Sequence, residues 1–256
     1  MKRRLTAAAI SERKGTRFPV VTAYDAAFAR CAQAAGIDVL MVGDSLGMVV
    51  LGYDSTVPVT LADIERCAAS VVRGTDRVHV VADLPFGSYE ASDADATSAA
   101  LALVKRAGVS SVKLEGGERS VPRIRAINAA GIPVMAHIGV LPQTAALSTG
   151  FSRRKRRDAL LADARAVEQA GAYAVVLEMV DAEITAEITS ILKIPTIGIG
   201  SGAGCDGQVL VLHDLLGLYP ESPPFAKRYA DLATSATTAL RAYAQDVRDG
   251  GFPASK

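Results

Sequence analysis

VLMVGDS (39–45) and VHVVADLPFG (78–87) decide the fold class of this chain, because each is a short apolar run that leads into an aspartate. A continuous hydrophobic run of about five residues, bounded by glycine or proline, is typical of a strand that is buried on both faces, as in a parallel sheet. Asp44 and Asp83 would then lie at the carboxyl ends of two such strands, just outside the core.

Three later runs repeat this pattern and end in other ionisable side chains. SSVKLEGG carries Lys113 and Glu115, IPVMAHIG carries His137, and AVVLEMV carries Glu178. Because parallel strands deliver their carboxyl ends to one edge, we expect these side chains to meet at one rim, as they do in barrel enzymes.

The spacing of hydrophobic residues and the positions of glycine and proline predict strands that alternate with helices along the chain. The strands are predicted at 19–22, 39–42, 78–82, 111–114, 134–137, 174–177, 196–199 and 209–212. The helices are predicted at 26–35, 61–73, 95–107, 121–130, 157–170, 183–192 and 226–247. Such alternation admits either a closed barrel or an open, doubly wound sheet.

The segment after the first strand decides between these two architectures. An open dinucleotide-binding sheet should carry GxGxxG there, whereas this chain continues with TAYD (22–25). We therefore predict an α/β fold of the TIM (β/α)8 barrel type, with a single domain over 1–256 and a short N-terminal extension at about 1–17. The glycine-rich GIGSGAG (198–204) follows the seventh strand, where an anion site and a plain tight turn are equal alternatives.

Composition excludes several function classes. Lys and Arg total 28 against 27 Asp and Glu, aromatic residues make up 5% and there is no Trp, so neither charge nor stacking favours a nucleic-acid partner. The cysteines show no CxxC spacing, which fits reduced thiols. No window approaches the roughly 20 apolar residues of a membrane span, and the basic opening MKRRL lacks the apolar core of a signal peptide. We expect a cytoplasmic protein without a membrane partner.

Asp44, Asp83 and Glu115 form an all-oxygen set on consecutive strand ends. Hard carboxylates without cysteine or several histidines suit Mg²⁺ better than zinc. For a single aspartate the plainer interpretation is a helix cap. Three acids on consecutive units, with Ser45 beside one and Lys113 beside another, favour a metal site instead.

The other polar side chains at the rim each admit a catalytic and a structural interpretation. Lys113 suits binding of a substrate carboxylate, or a salt bridge to Glu115 on the same strand face. His137 suits either a ligand-orienting donor or a satisfied core histidine. Glu178 ends an apolar run, where burial would make it a proton acceptor near neutrality; the alternative is a structural ion pair with an arginine. The basic run FSRRKRRD (151–158) is interpreted as a solvated loop, which on the rim would attract an anionic cosubstrate tail.

Several segments of the chain together resemble one enzyme family. They are TAYD (22–25), GIDVLMVGDSLGMVVLGYDST (36–56), VADLPFGSY (81–89), VKLEGG (112–117), GIPVMAHIGVLPQ (131–143), VLE (176–178) and IPTIGIGSGAGCDGQVLVLHDLLGL (194–218). In order and without large gaps from about Thr22 to Pro253, the chain closely resembles the ketopantoate hydroxymethyltransferases. It departs from the family pattern at Ala136, where glycine is common, at Ser201, where alanine is usual, and in SRRKRR (152–157), which replaces a VQGR-like loop.

The resemblance implies a barrel of the phosphoenolpyruvate/pyruvate-binding type and Mg²⁺-dependent transfer of a hydroxymethyl group from 5,10-methylenetetrahydrofolate to 3-methyl-2-oxobutanoate, giving 2-dehydropantoate in pantothenate (coenzyme A) biosynthesis. It implies metal binding by Asp44, Asp83 and Glu115, 2-oxoacid binding by Asp44, Ser45, Asp83 and Lys113, and proton abstraction by Glu178. His137 stays a further candidate for substrate binding. The resemblance also implies a homodecamer, a pentamer of dimers.

The sequence is compatible with two alternative functions. A Mg²⁺-dependent 2-oxoacid aldolase or lyase of the same barrel superfamily would use the same enolate chemistry, but it would take an aldehyde and need no folate. A catalytically silent barrel that serves as a binding protein would be expected to have lost some of the rim residues, and all of them are present.

Overall fold

The computed structural model describes residues 4–145, 147 and 150–253, and it contains the predicted closed barrel of parallel strands in chain order. The strands are β1 (Phe18–Thr22), β2 (Val39–Val42), β3 (His79–Asp83), β4 (Ser111–Glu115), β5 (Val134–Gly139), β6 (Ala174–Glu178), β7 (Thr196–Ile199) and β8 (Gly207–Leu210). Every residue of β2, β3 and β4 is buried, as expected of strands in a parallel barrel. The prediction of a TIM (β/α)8 barrel is confirmed.

Helices follow the strands in the alternation that the sequence predicts. They are α1 (Ala7–Ser11), α2 (Ala26–Ala34), α3 (Leu46–Val49), α4 (Leu61–Gly74), α5 (Asp93–Ala102), α6 (Val121–Ala129), α7 (Pro142–Thr144), α8 (Arg157–Gln169), α9 (Ala182–Ile191), α10 (Leu212–Leu216) and α11 (Leu232–Arg248). The short helices α1, α3, α7 and α10 show too little periodicity to be predicted. Within the described ranges, no helix combines the length and apolarity that a bilayer crossing needs.

Two predicted boundaries near the end of the chain are wrong. The eighth strand is predicted at 209–212, but its register with β7 already starts at Gly207, and Leu212 begins α10. The apolar run therefore continues past the strand into a helix. The last helix is predicted at 226–247, but α11 begins only after Asp231, because the carboxylate of that residue caps its first turn.

The N-terminal extension seals the barrel at the end where the strands begin. Ile10 of α1 is fully buried in the hydrophobic core cluster that fills this end. The Leu5 carbonyl accepts a hydrogen bond from His79 Nδ1 at 3.0 Å, and His79 Nε2 lies 2.8 Å from Ser111 Oγ and 3.0 Å from the Tyr173 hydroxyl. The predicted site residues gather at the opposite end, where the strands finish.

The chain divides into two compact units, one that ends at Val209 and one that begins at Leu210. The second unit contains α10 and α11, and no residue of α11 is buried among the described parts of the chain. Leu240 and Tyr243 of this helix are exposed although they are apolar. The prediction of a single domain over 1–256 stays a prediction.

Candidate active site

Strand register brings the predicted site residues together at the carboxyl end of the barrel. Asp83 on β3 lies beside Lys113 on β4, and Glu115 on β4 lies beside His137 on β5. Glu178 is the last residue of β6, which pairs with β5. Because residues in register on neighbouring parallel strands point to the same side, these side chains converge at the rim.

Lys113 is a buried cation in this cluster. Its Nζ lies 3.1 Å from Asp83 Oδ2, and the two side chains are only 5% and 3% exposed. Burial lowers the pKa of Lys113, but the carboxylates of Asp83 and Glu115 raise it by more, so the ammonium group stays charged. The ion pair thus forms with Asp83 on the neighbouring strand rather than with Glu115 on the same strand.

Asp44 and Ser45 follow β2 and join the cluster through their own hydrogen bonds. The Asp44 N–H donates to Asp83 Oδ2 at 3.0 Å, and Ser45 Oγ lies 2.9 Å from the Tyr24 hydroxyl. A Cβ at the preceding Gly43 would come within 3.0 Å of Ser45 Oγ and 3.5 Å of Asp83 Oδ2. The glycine therefore allows the backbone to pass close to both side chains.

Gln143 connects two of the predicted metal ligands and is not among the site residues predicted from the sequence. Its Nε2 donates to Asp44 Oδ2 at 2.8 Å, and its backbone N–H donates to Glu115 Oε2 at 3.2 Å. The Tyr89 hydroxyl donates to Gln143 Oε1 at 2.5 Å and so fixes the orientation of the amide. The one hint in the sequence is Pro142, which suits the first position of a helix and places Gln143 in its first turn after β5.

Both ring nitrogens of His137 are engaged, and they face different partners. Nδ1 lies 3.3 Å from Lys113 Nζ, while Nε2 lies 3.0 Å from the Val140 carbonyl and 3.4 Å from Glu178 Oε2. Burial and the charge of Lys113 hold the pKa of His137 well below its ordinary value, so the ring is neutral. A neutral ring that accepts at Nδ1 donates at Nε2, which places its hydrogen toward Val140 and Glu178.

Four carboxyl groups share this site, namely those of Asp44, Asp83, Glu115 and Glu178. Burial and the charge of Asp83 raise the pKa of Asp44 to about 7, and burial and Asp44 raise the pKa of Glu115 well above its ordinary value. Burial raises the pKa of Glu178 to about 8, and its side chain, 17% exposed, is the most accessible of the four. Lys113 compensates the charge of only one ionised carboxylate, so a bound cation would favour the ionised forms of the others.

Two buried carboxylate oxygens, Asp83 Oδ1 and Glu115 Oε1, have no hydrogen-bond partner among the described residues. Burying a carboxylate oxygen without a hydrogen bond costs free energy unless a further group binds it. In the part of the chain that the structure describes, no three His, Cys, Asp or Glu side chains already enclose a metal position. The donor set nevertheless fits Mg²⁺, which keeps several water and substrate ligands and needs only one or two protein carboxylates.

The chain turns sharply directly after Glu178, and the basic loop lies against this turn. Met179 has a φ of 50°, the only positive φ of a non-glycine residue in the ranges that the structure describes. The Arg154 N–H donates to the Met179 carbonyl at 2.8 Å, and the Arg153 guanidinium donates to the Val180 carbonyl at 2.8 Å. The loop is therefore at the rim, beside the carboxylate predicted to accept a proton.

Comparisons with known proteins identify relatives over nearly the whole chain. The family model of ketopantoate hydroxymethyltransferase matches residues 4–255. The 3-methyl-2-oxobutanoate hydroxymethyltransferase of Chloroflexus aurantiacus is 54% identical over 245 residues, which cover 94% of this chain and 86% of the relative. The protein of the same name from Carboxydothermus hydrogenoformans is 49% identical over 260 residues, which cover 99% of this chain and 94% of the relative.

Solved structures share the barrel at much lower identity. 2,3-Dimethylmalate lyase, a member of the PEP mutase/isocitrate lyase superfamily, aligns with a TM-score of 0.62 at 20% identity over 98% of this chain and 90% of that chain. Phosphonopyruvate hydrolase in complex with oxalate and Mg²⁺ aligns with a TM-score of 0.65 at 15% identity over 97% of this chain and 89% of that chain. These two likenesses show the fold alone. The family model, together with the relatives that are 54% and 49% identical in sequence, shows that the chain belongs to the ketopantoate hydroxymethyltransferase family.

Proposed function

We propose that this protein transfers a hydroxymethyl group from 5,10-methylenetetrahydrofolate to 3-methyl-2-oxobutanoate and so forms 2-dehydropantoate for pantothenate biosynthesis. The observation that carries the proposal is a buried Lys113 among carboxyl groups, two of which keep an oxygen without a hydrogen-bond partner within the described residues. Such a site suits joint binding of a 2-oxoacid and a divalent cation, which enolisation of that substrate requires. The choice of substrate follows the names of the relatives.

Asp44, Asp83 and Glu115 are the residues that would hold Mg²⁺. Asp83 Oδ1 and Glu115 Oε1 offer ligands without loss of a hydrogen bond that the structure contains. When bound, Mg²⁺ supplies Lewis-acid stabilisation of negative charge on the keto oxygen of the substrate. Gln143 fixes Asp44 and Glu115 by hydrogen bonds, the usual way in which outer-shell groups orient metal ligands.

Lys113 would bind the carboxylate of the 2-oxoacid. Its charged ammonium group has three N–H donors, of which Asp83 takes one and His137 lies near another. Ser45 Oγ, which lies within hydrogen-bonding distance of Tyr24, offers a hydroxyl to the same substrate. Contacts at both ends of the small substrate would fix its plane and thereby the direction of C3.

Glu178 would remove the proton from C3. It is the most accessible carboxylate of the site, and its raised pKa makes the ionised form a stronger base. The proton moves to a Glu178 oxygen while the C–H electron pair forms the enolate. C3 then forms a bond to the methylene carbon of the folate, and both C–N bonds of that carbon break in the overall reaction. One water is consumed: its oxygen becomes the product hydroxyl, and the two nitrogens of the released tetrahydrofolate take up one proton of this water and the proton removed from C3.

Assembly and location belong to the same proposal. We infer a cytoplasmic homodecamer, a pentamer of dimers, that acts on small molecules and has no nucleic-acid or membrane partner. The exposed apolar side chains Leu240 and Tyr243 on α11 support self-association, because a helix without buried residues gains stability when a second copy covers it. Sedimentation equilibrium tests this inference. A measured molar mass equal to that of a monomer at micromolar protein concentration would contradict it.

A turnover assay tests the function. The complete mixture of 3-methyl-2-oxobutanoate, 5,10-methylenetetrahydrofolate and Mg²⁺ should yield 2-dehydropantoate and tetrahydrofolate in equal amounts, and EDTA should abolish the reaction until Mg²⁺ is restored. A second mixture replaces the folate by a simple aldehyde. Turnover of the aldehyde mixture with none of the folate mixture would reject hydroxymethyl transfer in favour of a 2-oxoacid aldolase.

A further inference from the structure

The turn after Glu178 is held by side chains that the proposed mechanism does not use. Met179 adopts a left-handed backbone with a φ of 50°. This conformation is unfavourable for a residue with a Cβ, so it persists only where its surroundings fix it. Two side chains from different loops contact this turn: Ser201 hydrogen-bonds Leu177 and Val180, and Arg153 hydrogen-bonds Val180.

Ser201 closes the turn from within the protein. The residue is fully buried, and its Oγ accepts the Val180 N–H at 3.0 Å and donates to the Leu177 carbonyl at 2.7 Å. One hydroxyl group therefore joins the residue before Glu178 to the second residue after it. Alanine at this position would make neither contact.

Arg153 holds the same turn from the exposed side. Its guanidinium donates to the Val180 carbonyl at 2.8 Å and to the Gly200 carbonyl at 2.7 Å, so it ties the segment after β6 to the segment after β7. Ser201 and Arg153 thus both contact Val180.

We propose that Ser201 and Arg153 are positioning residues that set the direction of the Glu178 carboxylate, which rests on the proposed role of Glu178 as proton acceptor. The Glu178 carbonyl accepts the Val140 N–H at 2.8 Å, so the strand is fixed up to this residue. The peptide unit that contains this carbonyl continues into Met179, so a change in the turn would pull on the carbonyl and tilt the Cα–Cβ bond of Glu178. A looser turn would move the carboxylate away from C3 while leaving Lys113 in place, and a shift of about 1 Å is enough to cost roughly a hundredfold in rate.

Deuterium exchange at C3 of 3-methyl-2-oxobutanoate, with Mg²⁺ in D₂O and without folate, tests the proposal. Ser201→Ala should slow exchange at saturating substrate by roughly tenfold or more, with Kd for the 2-oxoacid changed by less than about twofold. Arg153→Gln, at an exposed position, should slow exchange by a smaller factor. Ser201→Thr keeps the hydroxyl and should recover most of the lost rate.

Ser111→Ala is the matched control, because it removes another fully buried serine hydroxyl at the opposite end of the barrel. It should lower the thermal midpoint while leaving exchange at the parental rate. Parental exchange in both Ser201→Ala and Arg153→Gln would overturn the positioning role. Equal losses of exchange in Ser201→Ala and Ser111→Ala would overturn it as well, because they would reflect general destabilisation.

Glu178→Gln separates this proposal from the proposed function. Parental exchange in Glu178→Gln would reject both, because the group to be positioned would not be the proton acceptor. Slow exchange in Glu178→Gln with parental exchange in Ser201→Ala would reject the positioning role alone. In the Glu178→Gln background, Ser201→Ala should add no further loss, since double-mutant effects through one group do not add.

Discussion

His79 provides a prediction whose size can be worked out from the structure. The ring is fully buried at the sealed end of the barrel and contacts Leu5, Ser111 and Tyr173. Burial lowers the pKa of His79 from 6.5 to about 4, although the hydrogen bond to Leu5 opposes this effect. The folded protein therefore keeps the ring neutral at pH values where the unfolded chain takes up a proton.

The sign and magnitude of the resulting pH dependence follow from linkage. Because the folded pKa lies below the unfolded one, the stability contributed by neutral His79 is fully present above pH 6.5 and is lost as the pH falls toward about 4. At pH 5 the difference in protonation between the two states lowers the free energy of unfolding by about 2 kcal/mol, and below pH 4 by about 3 kcal/mol. For a chain of this size, about 2 kcal/mol corresponds to roughly 4–8 °C in Tm.

Unfolding at pH 7.5 and pH 5 measures this effect when the parent is compared with His79→Asn and His79→Gln. Neither Asn nor Gln titrates in this range. Between pH 7.5 and pH 5, the free energy of unfolding of each variant should therefore fall by about 2 kcal/mol less than that of the parent, whatever the stability of the variant at pH 7.5. The rim carboxyl groups titrate in all three proteins and cancel in the difference. Ser111→Ala leaves the imidazole in place and should keep the parental pH dependence. Equal pH dependence in the parent and both His79 variants would refute the argument.

The site yields further predictions. Asp83→Ala should abolish Mg²⁺-dependent binding of 3-methyl-2-oxobutanoate in calorimetry, because it removes a ligand and frees Lys113 from its partner; unchanged affinity would reject the ligand assignment. Glu178→Gln should bind the 2-oxoacid normally but slow C3 exchange by roughly a hundredfold, and an unchanged rate would assign the base elsewhere. Gln143→Leu should weaken Mg²⁺ binding by roughly 10- to 100-fold, and unaltered titration curves would count against its role in holding Asp44. Replacing Arg153, Arg154 and Lys155 by Gln should raise KM for polyglutamylated methylenetetrahydrofolate and flatten its salt dependence; KM values equal to those of the parent at low and high salt would reject a role of these charges in folate binding.

The barrel and much of the site follow from local sequence. Some hydrophobic runs are too short for a helix and are bounded by glycine or proline. Such a run is best explained as a buried strand, and this interpretation places Asp83 and Glu115 at strand ends. Chain order then fixes the neighbours in a parallel barrel. Asp83 lies beside Lys113 and Glu115 beside His137, because the register of adjacent strands aligns their carboxyl ends.

The features that escape prediction depend on contacts between distant parts of the chain. Gln143 reaches Asp44, 99 residues away, and no period or spacing marks a glutamine in a three-residue helix as a partner of two predicted metal ligands. Ser201 lies in a glycine-rich turn, and nothing local shows that its hydroxyl will reach the Leu177 carbonyl. The eighth strand is misplaced for a related reason, because the partner strand rather than the apolar run decides where pairing begins at Gly207.

The burial that hinders ionisation of the rim carboxyl groups also prepares them for a cation. Asp44, with a pKa of about 7, and Glu178, with a pKa of about 8, keep protons that exposed carboxyl groups release near neutrality. Lys113 forms an ion pair with Asp83, and Asp83 Oδ1 and Glu115 Oε1 have no hydrogen-bond partner among the described residues, so both oxygens are available to a cation. A bound cation would favour the ionised forms and so promote loss of the retained protons. Loading of the site and ionisation of Glu178 are therefore expected to rise together with pH, so that a larger fraction of Glu178 can accept a proton when the cation is bound.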